Sequence, residues 1–140
     1  MSISEPLLTD DGVRVPEIRF PGGLPGFAGL ERFALEQWGD ESSPFSLLRS
    51  LEDPELSFVV VPPMLFFPEY EPDVSEESVA SIGIAEPDDA MLLVIVTVRQ
   101  PVQDSTANLL GPLVINVHDL RGVQAVLEPD RWSTAAPLVA

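Results

Sequence analysis

Fifteen prolines are scattered through 140 residues, roughly twice the ordinary frequency of about 5%. Proline lacks the backbone donor that a helix needs, and its ring collides with the preceding turn. A chain interrupted this often cannot build long helices. The prolines separate apolar segments and do not gather into a tract, which argues against disorder. Short apolar runs between turn residues are the pattern of β-strands. Strands are therefore expected at Val13–Phe20, Arg32–Gln37, Phe45–Ser50, Leu56–Val61, Ala90–Val98, Leu113–His118 and Val123–Glu128. Val13, Val15 and Ile18 face inward on the first of these. The run AMLLVIVTV from Ala90 is apolar at odd and even positions alike, as a central strand buried on both faces requires. LVINVH and VQAVLE flank Asp119-Leu120-Arg121-Gly122, a hairpin signal in which the glycine is free to take a positive φ.

One helix is expected from Val74 to Ile82. Asp73 is placed to cap it, Glu76 completes a capping box, and Gly83 sits where a left-handed terminator is wanted. Val74, Val79 and Ile82 fall on one face, enough to dock the helix on a sheet. PGGLPGF, Pro21 to Phe27, reads as a double turn, because no Lys-Ser/Thr and helix follow as a phosphate cradle demands. The fold class is mainly β: a small single-domain β-barrel-like fold of about six to eight strands with one short helix. Residues 1–140 form one domain, with flexible tails expected at 1–10 and 130–140.

A chain of this length can bury a core without staples, and it has no cysteine to make them. That removes disulfides, zinc–thiolate sites and thiol nucleophiles together. The opening, MSISEPLLTDDG, lacks a basic stretch before an apolar core, so no signal peptide is expected. The longest apolar run has nine residues, against the roughly 20 that span a bilayer. The expectation is a soluble cytoplasmic protein with no membrane contact. Its charge is lopsided, with 23 acids against 7 bases, all arginine, and a net charge of −16. No base lies between Arg49 and Arg99, an interval with eleven acids, eight of them from Glu69 to Asp89. Such a surface repels phosphate backbones, so no direct nucleic-acid binding is expected. It attracts basic proteins; in the simplest case it only keeps the chain soluble and monomeric.

No pattern of catalysis emerges. His118 is the single histidine, and its spacing from Asp119 and Ser105 forms no nucleophile elbow. Glu86, Asp88 and Asp89 lack the alternation and closing glutamate of a calcium loop. Glu69, Glu71 and Asp73 alternate, so an extended backbone puts them on one side, but no sugar-stacking cleft accompanies them. No cofactor and no metal is implied. What stands out is FVVVPPMLFFPEYEPDVS, from Phe58 to Ser75. It begins as a buried strand and ends as an acid-rich turn. Between lie Met64, Leu65, Phe66, Phe67 and Tyr70, which a surface loop has no local reason to carry. Most should pack inward under the prolines. One or two left exposed beside the acids would form a binding hot spot.

That segment, with FPGGLPGFAGLERFAL and PFSLLRSLEDPELSFVV before it and STANLLGPLVINVHDLRGVQAVL after it, resembles the flagellar assembly factor FliW family from about Val13 to Leu127. The resemblance implies a β-barrel-like protein without enzymatic activity and with two protein partners, flagellin and the RNA-binding translational repressor CsrA. It implies a switch in which flagellin occupies the protein until export frees it to bind CsrA, away from the RNA site, and relieve repression of flagellin synthesis. The alternative is a cytoplasmic flagellin chaperone that has no hold on CsrA. Phe66, Phe67, Tyr70, Glu71 and Asp73 match the family's FF-x-x-Y-x-x-D pattern, and Thr106, Asn108 and Leu109 its TANL motif. These are the implied partner-binding residues, although Asn108 has a competing role in bonding its own loop. Asn116, within a strand, reads as structural. The chain departs from many relatives in lacking lysine and in its C-terminal RWSTAAPLVA, whose Trp132 either packs on the barrel or stays free.

Overall fold

The computed structural model describes residues 8–9, 12–13, 16–27, 29–40, 42–53 and 55–138. Among them, β1 (Leu8–Thr9) and β2 (Gly12–Val13) form a separate small hairpin. The main sheet has nine strands: β3 (Glu17–Arg19), β4 (Arg32–Gln37), β5 (Ser46–Ser50), β6 (Ser57–Val61), β7 (Ala90–Thr97), β8 (Thr106–Ala107), β9 (Leu113–Asn116), β10 (Gly122–Gln124) and β11 (Ala136–Pro137). Its order is β10-β9-β7-β6-β5-β4-β3, with β8 pairing β7 and β11. Every ladder is antiparallel. The fold is mainly β, and β4 to β7 and β9 lie where the apolar runs place them, whereas the strand expected at Val123–Glu128 ends at Gln124 and that expected at Val13–Phe20 enters the main sheet only at Glu17–Arg19. β8 and β11 were not expected. At two residues each, they are too short to show a period-2 pattern.

The sheet curls until its ends touch. Arg19 N–H donates to the Leu120 carbonyl at 2.9 Å, and a single parallel bridge joins Arg19 to Arg121. This is barrel-like only in outline, because no continuous ladder closes the seam among the described residues. The hairpin before β10 solves its turn differently from expectation. Leu120, not the glycine, takes the left-handed backbone, with φ of 58°. Gly122 is needed for its missing side chain: a Cβ there would lie 2.7 Å from Cε2 of the buried Phe20 ring.

β7 divides the core. Leu93 belongs to an inner cluster with Ile18, Phe20, Phe33, Leu48, Val60, Leu113 and Ile115, against which Met91 and Ile95 also pack. Val94 and Val96 face a second cluster with Val61, Tyr70, Ile82, Leu109, Leu127 and Leu138. The central strand is thus apolar on both faces, as the run from Ala90 predicts. Each fully buried Phe, Leu or Ile contributes roughly 1.5–3 kcal/mol. Ile18 is buried as expected, whereas the inward facing of Val13 and Val15 lies outside what the structure describes, as do residues 1–7 and 10 of the expected N-terminal tail.

The second cluster is roofed by irregular chain. Helix α1 (Glu76–Ser81) begins two residues later than predicted, because Ser75 and not Asp73 caps it, its hydroxyl accepting from Ser78 N–H at 3.1 Å. Ile82 beyond its end is buried, and Gly83 supplies the left-handed stop at φ 76°. Asn116 Nδ2 donates to the Ile82 carbonyl at 2.8 Å, tying α1 to β9, a structural part as expected. The C-terminal segment does not trail free. Ala136 and Leu138 are buried, Ala136–Pro137 pairs with β8 and Trp132 packs on the second cluster, so the part of the expected tail at 130–140 that the structure describes is docked at these points, and 139–140 lie outside the described residues.

Candidate partner-binding surface

Beyond β6 the two prolines end the ladder, and Pro63–Leu65 wind into a 3-10 turn. Phe66 and Phe67 N–H groups both donate to the Pro63 carbonyl, at 3.1 and 2.8 Å, and Tyr70 N–H to Phe67 at 2.9 Å. These bonds set which side chains turn in. Tyr70 points inward and is 1% exposed. Its hydroxyl donates to the Leu109 carbonyl at 2.7 Å, and its ring meets Trp132 edge-on at 4.7 Å. Burial pushes its phenol well above the ordinary value. Phe66 and Phe67 are half-buried against the second cluster. Met64 and Leu65 turn out, at 51% and 61% exposure.

The family-implied residues therefore separate by environment. Glu71 and Asp73 are exposed, as are Glu69, Glu76 and Glu77 around them. The ion pairs among the described residues lie elsewhere: Arg32–Glu17, Arg49–Glu36, Arg121–Asp119 and His118–Asp89. Tyr70 and Leu109 are brought together, but as a buried clamp. Leu109 N–H donates to the Ser133 carbonyl at 2.9 Å, extending the clamp to the C-terminal segment. Asn108 Oδ1 accepts from Leu110 and Gly111 N–H at 3.1 and 3.0 Å, so it organises its own loop. Thr106, half-buried on β8, pairs with Thr97 and Pro137. No hydrogen bond among the described residues joins Thr106 or Asn108 to the 66–73 segment.

Two sets of aromatic contacts flank this segment. Phe66 stacks on Phe45 at 5.9 Å, and Phe45 meets Trp38 edge-on at 6.1 Å. Trp132, the other tryptophan, closes over Tyr70 and carries the Arg131 guanidinium at 5.4 Å from its ring centre. The groups weighed for catalysis are occupied separately. His118 Nε2 pairs with Asp89 Oδ1 at 2.8 Å, Ser105 Oγ accepts from Arg99 N–H at 2.9 Å, and Asp119 holds Arg121, which keeps its carboxyl below the usual range. Asp89 also accepts from Glu86 N–H, so the acids at 86–89 cap a short turn. No group of three His, Cys, Asp or Glu able to hold a metal occurs among the described residues. No helix among them is long and apolar enough to cross a membrane.

What this geometry offers is a surface segment: exposed apolar side chains followed closely in the chain by exposed carboxylates that make no ion pair among the described residues. The model of the family described as FliW protein matches residues 8–138. A flagellar assembly factor FliW from Geobacillus thermodenitrificans (strain NG80-2) is 39% identical over 117 residues, covering 84% of this chain and 80% of the relative. Another from Natranaerobius thermophilus is 38% identical over 122 residues, covering 86% and 80%. The crystal structure of a flagellar assembly factor FliW superposes with a TM-score of 0.82 at 38% identity, covering 89% of this chain and 86% of that one. Matched along nearly its whole length in sequence and in fold, the chain belongs to the FliW family of flagellar assembly factors.

Proposed function

We propose that this protein is a non-enzymatic, cytoplasmic partner switch that binds flagellin and, when free of it, binds and antagonises the translational repressor CsrA. It is monomeric when free and touches no nucleic acid itself. One observation carries this reading: the exposed Met64 and Leu65 adjoin a run of exposed acids, Glu69, Glu71, Asp73, Glu76 and Glu77, in a stretch of chain without a single basic residue. An RNA-binding protein presents basic surface to phosphate, so an acidic partner is steered toward it. Once docked, that partner places negative charge near the RNA path. By linkage, RNA weakens the complex by the factor with which the complex weakens RNA binding. Flagellin, by contrast, is held through apolar contact.

The test is calorimetric titration with CsrA from the same organism, repeated with flagellin already bound. Binding that flagellin abolishes supports the switch. Binding that flagellin leaves unchanged removes mutual exclusion. No CsrA binding, with flagellin held tightly, reduces the protein to a dedicated flagellin chaperone.

A further inference from the structure

Singly exposed apolar residues are ordinary on any soluble protein, and three of the six large ones among the described residues are of that kind. Phe27 leans on Phe58, while Leu51 and Val126 have no exposed large apolar residue beside them in the chain. The aromatic array at the start of β5 differs, because its members touch in series. Trp38, 39% exposed at the end of β4, meets Phe45, and Phe45 stacks on Phe66. Phe66 follows directly on Met64 and Leu65, the two exposed large apolar residues of the proline-rich segment. Trp38 lies outside the quoted motifs, and with Phe45 it carries the apolar surface of that segment across to the β4–β5 turn. Tryptophan and aromatic anchors of this kind dominate binding energies at interfaces, and methionine adapts to varied partners.

Charge selects the occupant. Both ends of the array are acidic: Asp40 lies two residues beyond Trp38, and Glu69 and Glu71 follow Phe67. A second copy of this chain brings its own charge of −16 and is repelled. A segment that fits must be apolar on one side and basic at its margins. The serial contacts of about 6 Å between ring centres match the i, i+3, i+4 and i+7 stations of an amphipathic helix, which rises about 5.4 Å per turn. We infer that the Trp38–Phe45–Phe66 ridge with Met64 and Leu65 is the seat of an amphipathic, basic-flanked helix of a partner protein. This deepens the function proposed above and rests on its premise that the protein acts by binding other proteins.

The test uses the full chain and a labelled lysine–leucine peptide of about five helical turns, with leucines at helical spacing. Its control is an isomer of the same composition with the leucines dispersed. Fluorescence anisotropy should show the amphipathic peptide binding about tenfold or more tightly than the isomer, a difference of about 1.4 kcal/mol. Trp38→Ala should abolish that preference while leaving the weaker, charge-driven binding of the isomer unchanged. Trp38 also packs on Phe45, so the double variant Met64→Ser/Leu65→Ser, at two open positions, guards against a folding defect and should lose the preference too. Equal affinity for both peptides, or a preference that survives both variants, overturns the inference. Flagellin and CsrA titrations on the same proteins keep the two proposals apart. A wild-type chain that prefers the amphipathic peptide but binds neither protein sinks the switch and leaves the ridge. One that binds them without preferring the peptide sinks the ridge and leaves the switch.

Discussion

Tyr70 shows how far a residue's role can lie from its motif. Its place in the FF-x-x-Y-x-x-D run suggests contact with a partner, yet its hydroxyl is bonded to Leu109 and its ring lies under Trp132. It holds the roof in place and is not available to be touched. Tyr70→Phe strips the Leu109 carbonyl of this donor inside the core, which costs about 1–3 kcal/mol, measurable by urea unfolding. Burial raises the phenol's pKa above its ordinary 10.0, so the protonated form is favoured in the fold. The stability linked to that proton is complete below the unfolded value and is lost as pH climbs through the folded one. Because the chain has one tyrosine, tyrosinate absorbance reports it alone: ionisation should wait for alkaline unfolding, and the Phe variant should lose the part of the alkaline instability that begins near pH 10. Glu52 works in the opposite direction. Its carboxylate accepts from the N–H groups of Glu31 and Arg32 at 2.7 and 2.9 Å, and those bonds depress its pKa. The stabilisation is present above the ordinary 4.5 and disappears as pH falls through the depressed value. A melting-temperature deficit in Glu52→Gln should therefore appear at neutral pH and vanish in strong acid.

Elements were legible where they were long. β4 was readable to the residue, and β7 announced its two buried faces, because six and eight residues of strand carry enough side chains to show a pattern. The helix was readable but its start was not. Aspartate and serine cap about equally well, so the expected cap at Asp73 looked sound by residue type although Ser75 is the one that caps. The structure makes a sharp distinction: Ser75→Ala should cost about 1 kcal/mol and loosen α1 in hydrogen exchange, while Asp73→Asn should leave both stability and exchange unaltered. Equal effects from the two would contradict the assignment. Half of the candidate surface was legible in the same sense. The acids and the apolar cluster were visible, but which of five neighbouring side chains turned outward depended on the 3-10 turn after Pro62. The Trp38–Phe45 extension was invisible, because it forms between strand ends far from the proline-rich segment in sequence.

At the scale of the whole molecule, charge and shape act together. The −16 net charge opposes association between copies and favours encounter with any basic molecule, an effect that salt screens over about 10 Å at 0.1 M. Replacing Glu69, Glu71, Asp73, Glu76 and Glu77 with their amides should slow association with a basic partner by about tenfold at low salt and flatten its salt dependence in stopped-flow measurements. Dissociation should change less. If rates and salt slope stayed as in the wild type, steering by this face would be wrong. Shape has a further consequence for how the chain reaches its native state. The strands from β3 to β10 follow one another by mostly local pairings, but the hydrogen bond from Arg19 to Leu120 joins residues roughly a hundred positions apart, a loop that is costly to close. Contacts of that span form late and slow the search. The seam should thus be the last part to assemble and the first to breathe, with the Arg19 amide exchanging well ahead of those in β7. A molecule that zips along most of its sheet and is fastened by so short a seam can open at its edge without unfolding.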